Sequence, residues 1–389
     1  MKTSLSPTVL LLSLVSLLTD VSSEMIYPLI PGFLAVSLGA QPWAIAVIEG
    51  CAQTLSSLLQ GVSGRLTDRS GRRKPLTLLG YGLSGTVRPL VGLATSWPLV
   101  LVIRLLDRVG KGLRSAPRDA LIADVTPPEK RGAAFGFHQA ADHAGATIGP
   151  LLAGLLLATT TLQVRDVFLL AAIPGVLAFL VLTQVKEPNQ AKEKLAKTPP
   201  PRVPWHSWPQ PFRRLVVATL VFTLGNSTDA LILLKLHEVG VPDAATAALW
   251  ALHNLGKMGT TTLFGRLSDR LGRKPLILAG WLLYALVYVG LALTHSQMVA
   301  VGLFLLYSAY FGLTEPVEKA WVVDLVPQTQ RGSALGLWQA AIGVSALPAS
   351  LLAGLLWTWQ GSWAAFGLGA LLAGLGALLL LRVKSPQPA

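Results

Sequence analysis

Apolar runs about twenty residues long, each enough to cross a bilayer core as one helix, follow one another along almost the whole chain, separated by short polar breaks. The pattern predicts twelve helices at 8–38, 42–63, 75–95, 97–123, 131–158, 166–185, 214–238, 243–264, 275–294, 297–323, 331–357 and 361–382. One break is long, polar and rich in proline: "KEPNQAKEKLAKTPPPRVPWHSWPQPFRR", Lys186 to Arg214. It divides the chain into a first bundle (1–185), a linker (186–213) and a second bundle (214–389). The expected fold is an all-α polytopic membrane protein of two six-helix bundles. The N-terminal run passes Asp20 and Glu24 without a small-residue cleavage site, so it reads as a retained first span.

Lysine and arginine orient these spans. Basic residues crowd one set of loops: Arg65, Arg69, Arg72, Arg73, Lys74, Lys130, Arg131, the linker cations, Arg266, Arg270, Arg273, Lys274 and Arg331. The opposite loops offer only Arg165. The positive-inside rule then places the basic loops, the linker and both termini in the cytoplasm. The net charge of +13 follows from that topology and calls for no nucleic-acid partner. With 52% hydrophobic and 13% charged residues, the composition agrees. One cysteine, Cys51, lies inside an apolar run, which leaves no disulfide framework and no cysteine metal site. The sequence has no paired metal ligands, nucleophile elbow or Walker loop, so no enzyme chemistry and no cofactor are expected.

The charged turns repeat. "GRLTDRSGRRKP" (Gly64 to Pro75) returns as "GRLSDRLGRKP" (Gly265 to Pro275), and Asp124 with "RGAAFGFHQAA" from Arg131 returns as Asp324 with "RGSALGLWQAA" from Arg331. The offset is 201 from Asp68 to Asp269 and 200 from Arg131 to Arg331. Each half has an even number of spans, so the halves share one orientation. That is a parallel repeat about an axis along the membrane normal, a transporter plan with its substrate site between the halves near mid-bilayer.

These residues resemble the major facilitator superfamily over nearly the whole chain. The two charged turns are similar to that family's loop 2–3 and loop 8–9 motifs, through Gly64, Asp68, Arg69, Gly71, Arg72 and Arg73, then Gly265, Asp269, Arg270, Gly272 and Arg273. Arg104 matches its fourth-helix arginine, and "GATIGPLLAG", with Gly145, Gly149 and Pro150, resembles the fifth-helix motif of exporters. Asp107, Arg108 and Lys111 depart from the small or neutral residues usual there. The resemblance implies turns that latch an outward-open state. The residues themselves suggest glycines that allow tight turns at Gly64 and Gly71, and aspartates that cap a helix or pair with arginine.

Charge inside the spans marks the candidate site. Counting 1.5 Å per residue from Trp97, Arg104, Asp107, Arg108 and Lys111 lie about 10 to 21 Å deep. Together they would cost ~12 kcal/mol against lipid, so they line water or pair. Asp20 and Glu24 share a face of helix 1, Glu49 lies on helix 2, and His138 and Asp142 lie at matching depth on helix 5. Buried carboxylates take and release protons, so these acids are candidates for proton coupling. Static helix-to-helix pairing would use the same residues. The second half offers Asn226, Asp229, His253, Asn254, Tyr307, Tyr310 and Trp338. Arg118 and Asp119 correspond to Glu318 and Lys319 with the charge order reversed. With Asp124, Arg131, Asp324 and Arg331 they are expected to form a charge relay at a gate. Gly132 with Gly136, and Gly145 with Gly149, give small residues one turn apart for close packing. Pro28, Pro31 and Pro117 allow bends.

The expectation is a monomeric secondary transporter in a bacterial inner membrane, driven by the proton gradient and exporting a small organic molecule, drug or metabolite, by alternating access. An organic-anion carrier is the alternative, since helix 4 brings more positive than negative charge. A non-transporting sensor on the same fold is a third reading.

Overall fold

A computed structural model describes residues 6–70, 73–127, 131–187, 204–327 and 330–383. Among the described residues there is no strand, and helices account for twelve successive spans. They are α1 (Pro7–Ser37), α2 (Pro42–Ser70), α3 (Lys74–Val87, continuing as a 3-10 turn over Arg88–Leu93), α4 (Trp97–Asp124), α5 (Arg131–Thr159) and α6 (Val164–Thr183). After the linker come α7 (Gln210–Glu238), α8 (Asp243–Leu271), α9 (Arg273–Leu293), α10 (Gln297–Asp324), α11 (Arg331–Gln360) and α12 (Ser362–Leu381). Eight are long and apolar enough to cross a membrane by composition; α2, α3, α4 and α8 are not. In α4 the cause is plain, because its charges outnumber what lipid tolerates and its arginines turn inward, with Arg104 and Arg114 buried.

Two spans break at equivalent places. Pro28 and Pro31 cannot donate to the helical ladder, and α1 passes through a 3-10 turn at Tyr27–Leu29 and a π-helical turn at Phe33–Ser37. Two hundred residues on, where one continuous helix is expected, α7 stops at Gly225 and restarts at Asp229, and the Thr228 hydroxyl caps the new helix by accepting from Ala230 N at 3.3 Å. The charged turns also differ from expectation. Gly64 and Gly265 lie inside α2 and α8, which stay helical through Ser70 and Leu271, so neither makes the turn. In the second half that task falls to Gly272, at φ +87, a conformation in which a β-carbon is strained. Gly71 and Arg72 lie outside the described residues.

The described chain falls into two compact units. One comprises Met1–Gly39, Leu55–Thr198 and Pro242–Ala251. Its apolar core gathers Val9, Leu12, Val15, Tyr81, Leu121, Ile122 and Leu182. In this unit α5 presses on α1. A β-carbon on Gly145 would stand 2.5 Å from Leu17 O and 2.9 Å from Asp20 Cβ, and one on Gly149 2.6 Å from Val21 O and 3.1 Å from Glu24 Cβ. Gly136 has nothing within 4 Å and is not a packing glycine. Gly154 abuts the start of α8, at Ala244 O (2.9 Å from a built β-carbon).

The other unit comprises Ala40–Thr54, Pro199–Val241 and Leu252–Ala389. Its core is aromatic: Phe222 stacks on Trp281 at 4.5 Å, Tyr284 on Tyr288 at 4.0 Å and Tyr307 on Tyr310 at 5.5 Å. Gly354 of α11 meets Trp43 and Ala46 at the start of α2, the repeat of the Gly154 contact. The units therefore follow the sequence halves except at the first parts of α2 and α8.

Candidate functional site

The α4 cations close on one carboxylate. Asp107 is 1% exposed and lies 2.8 Å from Arg88 Nη2, 3.6 Å from Arg104 Nη1 and 3.7 Å from Arg108 Nε. Arg88, itself 3% exposed, also donates to Thr19 O (3.1 Å) and Ser22 Oγ (3.3 Å). It thereby ties α3 to α4 and α1. Arg114 donates to Ser84 Oγ at 2.6 Å and lies over the Tyr81 ring at 4.6 Å. Asp107, expected with its neighbours to line water or to pair, is paired as an internal counter-ion. Arg104 is 2% exposed, its guanidinium 5.7 Å from the Tyr27 ring, while Lys111 is exposed.

A second group sits where α5 meets α1. The charges that act on Asp20 are those of Asp142, Lys111, Glu24 and Arg114. Glu24 accepts from Trp250 Nε1 at 2.7 Å, and Trp250 packs on Tyr27 with ring centroids 5.1 Å apart. His138 Nε2 faces Asp142 Oδ1 at 3.7 Å, and both atoms are buried without a hydrogen-bond partner, while His138 Nδ1 meets Ser13 Oγ at 3.5 Å. Four titratable side chains (Asp20, Glu24, His138 and Asp142) thus share one region of α1 and α5. Glu49, on α2, belongs to the other unit and is 7% exposed.

In that unit several expected cavity groups are packing. Tyr307 (1% exposed) donates to Asp229 Oδ1 at 3.0 Å, His253 (1%) stacks on Phe304 at 4.9 Å, and Trp338 (3%) reaches Thr219 Oγ1 at 3.4 Å. Asn226, at the α7 break, donates to Tyr310 Oη at 3.3 Å. Asn254 is half-buried on α8.

The relay residues find partners inside their own halves. Arg118 pairs with Asp119 at 2.9 Å and donates to Ser16 Oγ at 3.0 Å. Lys319 reaches Glu315 at 3.5 Å, and Glu318 accepts from Trp281 Nε1 at 2.9 Å. At the turns the repeat is exact in kind: Arg73 pairs with Asp124 at 2.6 Å and Arg273 with Asp324 at 3.3 Å. Lys74 caps the end of α6 at Thr183 O (2.9 Å), and Lys274 caps α12 at Leu381 O (2.7 Å). These cations satisfy orphan carbonyls and oppose the negative end of the helix dipole. Arg270 and Arg331 are exposed. The side chains of Asp68, Arg69, Arg131 and Asp269 lie outside the described residues, so their expected contacts do too.

Sequence reading passed over Arg88, Arg114 and Glu315. Arg88 carried a usable signal, a cation inside an otherwise apolar span. The pairing did not, because Arg88 and Asp107 meet only when α3 packs on α4.

Helices of spanning length, internal charge held by internal partners, and a doubled set of turn contacts define an integral membrane protein of twelve-helix transporter architecture. The sequence profile of the Major Facilitator Superfamily matches residues 12–252 and 215–389. The chain is 35% identical to an uncharacterized MFS-type transporter of Methanocaldococcus jannaschii over 384 residues, 97% of this chain and 95% of that one. It is 26% identical over 310 residues to the multi-drug resistance efflux pump PmrA of Streptococcus pneumoniae, 76% of this chain and 74% of that one. Its fold is similar to a bacterial homolog of the human lysosomal transporter Spinster in an inward-facing, occupied conformation, with TM-score 0.77, 16% identity and 98% of each chain covered. The chain belongs to the major facilitator superfamily, and is a transporter of that family.

Proposed function

We propose that this transporter exports a small organic molecule in exchange for protons, by alternating access, with its basic loops and both termini on the cytoplasmic side of a bacterial inner membrane. The observation that carries the reading is the α1–α5 group. Asp20, Glu24, His138 and Asp142 lie together, and none of them forms an ion pair with arginine among the described residues. Asp107 shows the contrast, a carboxylate neutralised by guanidiniums. Groups left without such neutralisation are the ones that exchange protons as water access changes. Export is supported by the fifth-helix motif, whose Gly145 and Gly149 set α5 against α1 at Asp20 and Glu24, and by the similarity to an efflux pump. The proton gradient supplies the energy, with no cofactor, and the unit of function is a monomer.

An anion carrier is the second reading. Lys111 is exposed, and with Arg104, Arg108 and Arg114 against Asp107 alone between them, the middle of α4 brings more positive than negative charge to a negatively charged substrate.

Proteoliposomes holding the purified chain, an imposed pH gradient and a panel of cationic, neutral and anionic compounds test both. The proposal expects gradient-driven flux with substrate-linked proton movement, lost in Asp20→Asn and Glu24→Gln. Flux indifferent to the gradient, or variants with unaltered proton dependence, would contradict it. Selective loss of an anion in Arg108→Ala would favour the second reading.

A further inference from the structure

Two of the membrane-embedded acids are held by permanent cations. Asp107 is neutralised by guanidiniums, and Glu315 stands between Lys257 Nζ (3.6 Å) and Lys319 Nζ (3.5 Å). Glu318 has neither. It is 8% exposed, and its Oε1 accepts one hydrogen bond, from Trp281 Nε1 of α9 at 2.9 Å. It makes no ion pair among the described residues.

The indole is held firmly. Trp281 is 0% exposed and stacks on Phe222 of α7 at 4.5 Å with 11° between the planes. Helix α10 approaches α9 so closely that a β-carbon on Gly280 would stand 2.5 Å from Thr314 Cγ2. The other charged or titratable groups that face Glu318 are on its own helix: Glu315 and Lys319, already paired with each other, and Tyr310 two turns earlier. Counting back from Asp324, Glu318 lies ~9 Å along α10 from its end.

An indole N–H donates to a carboxylate and, less strongly, to the carbonyl oxygen of a carboxylic acid, so this bond is available in either state. It orients the carboxyl without neutralising it. An isolated carboxylate inside a bilayer is costly, and with Lys319 paired to Glu315 a proton is the partner that neutralises it.

The repeat sharpens the contrast. Two hundred residues earlier the same positions hold Tyr81 and Arg118, and Arg118 is fixed by Asp119 and Ser16. Arginine keeps its charge under all physiological conditions. The second half therefore carries a group of variable charge where the first carries a permanent cation.

We infer that Glu318 is a proton-binding site of this transporter, oriented by Trp281 and separate from the α1–α5 group. One proton converts its carboxylate to the neutral acid, and release of that proton restores the anion. The part this site plays in transport rests on the proton-coupled reading; the binding itself does not.

Infrared difference spectroscopy of the full chain in lipid, titrated across pH, reads the carboxylic-acid C=O stretch directly. A titrating band absent from Glu318→Gln and shifted in Trp281→Phe, which removes the donor and keeps an aromatic ring, is the expected result. The shift in Trp281→Phe reports the same carboxyl even if Glu318→Gln fails to fold. Paired flux measurements should show fewer protons moved per substrate in Glu318→Gln than in wild type. If wild-type flux ignores the pH gradient while the Glu318 band still titrates, the coupled reading fails and the proton site stands. Difference spectra that are the same in wild type, Glu318→Gln and Trp281→Phe overturn the inference.

Discussion

Arg88 and Asp107 show what a single buried pair does in this protein. Two facing charges remove one another's cost, and the remaining guanidinium donors of Arg88 are spent on Thr19 O and Ser22 Oγ. Removing Asp107 leaves Arg88, Arg104 and Arg108 without their shared counter-ion, a loss of about 3–5 kcal/mol, whereas removing Arg88 leaves Asp107 with Arg104 and Arg108. Asp107→Leu should therefore lower the thermal unfolding midpoint in detergent sharply, and Arg88→Leu, which leaves Asp107 two guanidiniums, should lower it less. An unchanged midpoint in Asp107→Leu would deny the pair its structural role. At this scale the sequence was half legible. The expense of charge in a span showed that Arg104, Asp107 and Arg108 must pair or meet water. It did not show that the chief partner lay on α3. Nor did it show that tryptophans would serve carboxylates: Trp250 and Trp281 look like packing residues until their indole nitrogens are placed on Glu24 and Glu318.

Helices pack in this protein where small residues allow it. On α5, Gly145 and Gly149 leave no room for a β-carbon against α1, while Gly136 faces open space. Gly149→Val should separate α1 from α5, displace Asp20 and Glu24, and lower both folded yield and transport; Gly136→Ala should change neither. Comparable yields and fluxes for the two variants would show that the contact is not limiting. Spacing of small residues announced the possibility of close packing but could not tell Gly136 from Gly149, because helical phase relative to a neighbour is not written in one helix. Span existence was the most legible property. Span ends were less so, since Gly64 and Gly265 read as turn residues yet sit within helices whose last turns are polar. The α1 break was foreseen from its prolines. The matching α7 break, with no proline at the site, was not.

Across the whole molecule the repeat is both the clearest signal and the source of the most informative differences. Arg73 with Asp124 and Arg273 with Asp324 repeat one contact, as do the lysine caps on α6 and α12. Where the halves diverge, function is the natural place to look: the first half holds the α1–α5 titratable group, and the second substitutes Glu318 for Arg118. The chain's one cysteine, Cys51, makes the central claim of alternating access open to direct measurement. Gln139 is an exposed polar residue ~12 Å into α5. In a Cys51→Ser background, Gln139→Cys should be modified by a membrane-impermeant thiol reagent from either side of the bilayer, with one rate rising as the other falls when the pH gradient is reversed. Modification from one side under every gradient, or from both sides at once with fixed rates, would contradict alternation.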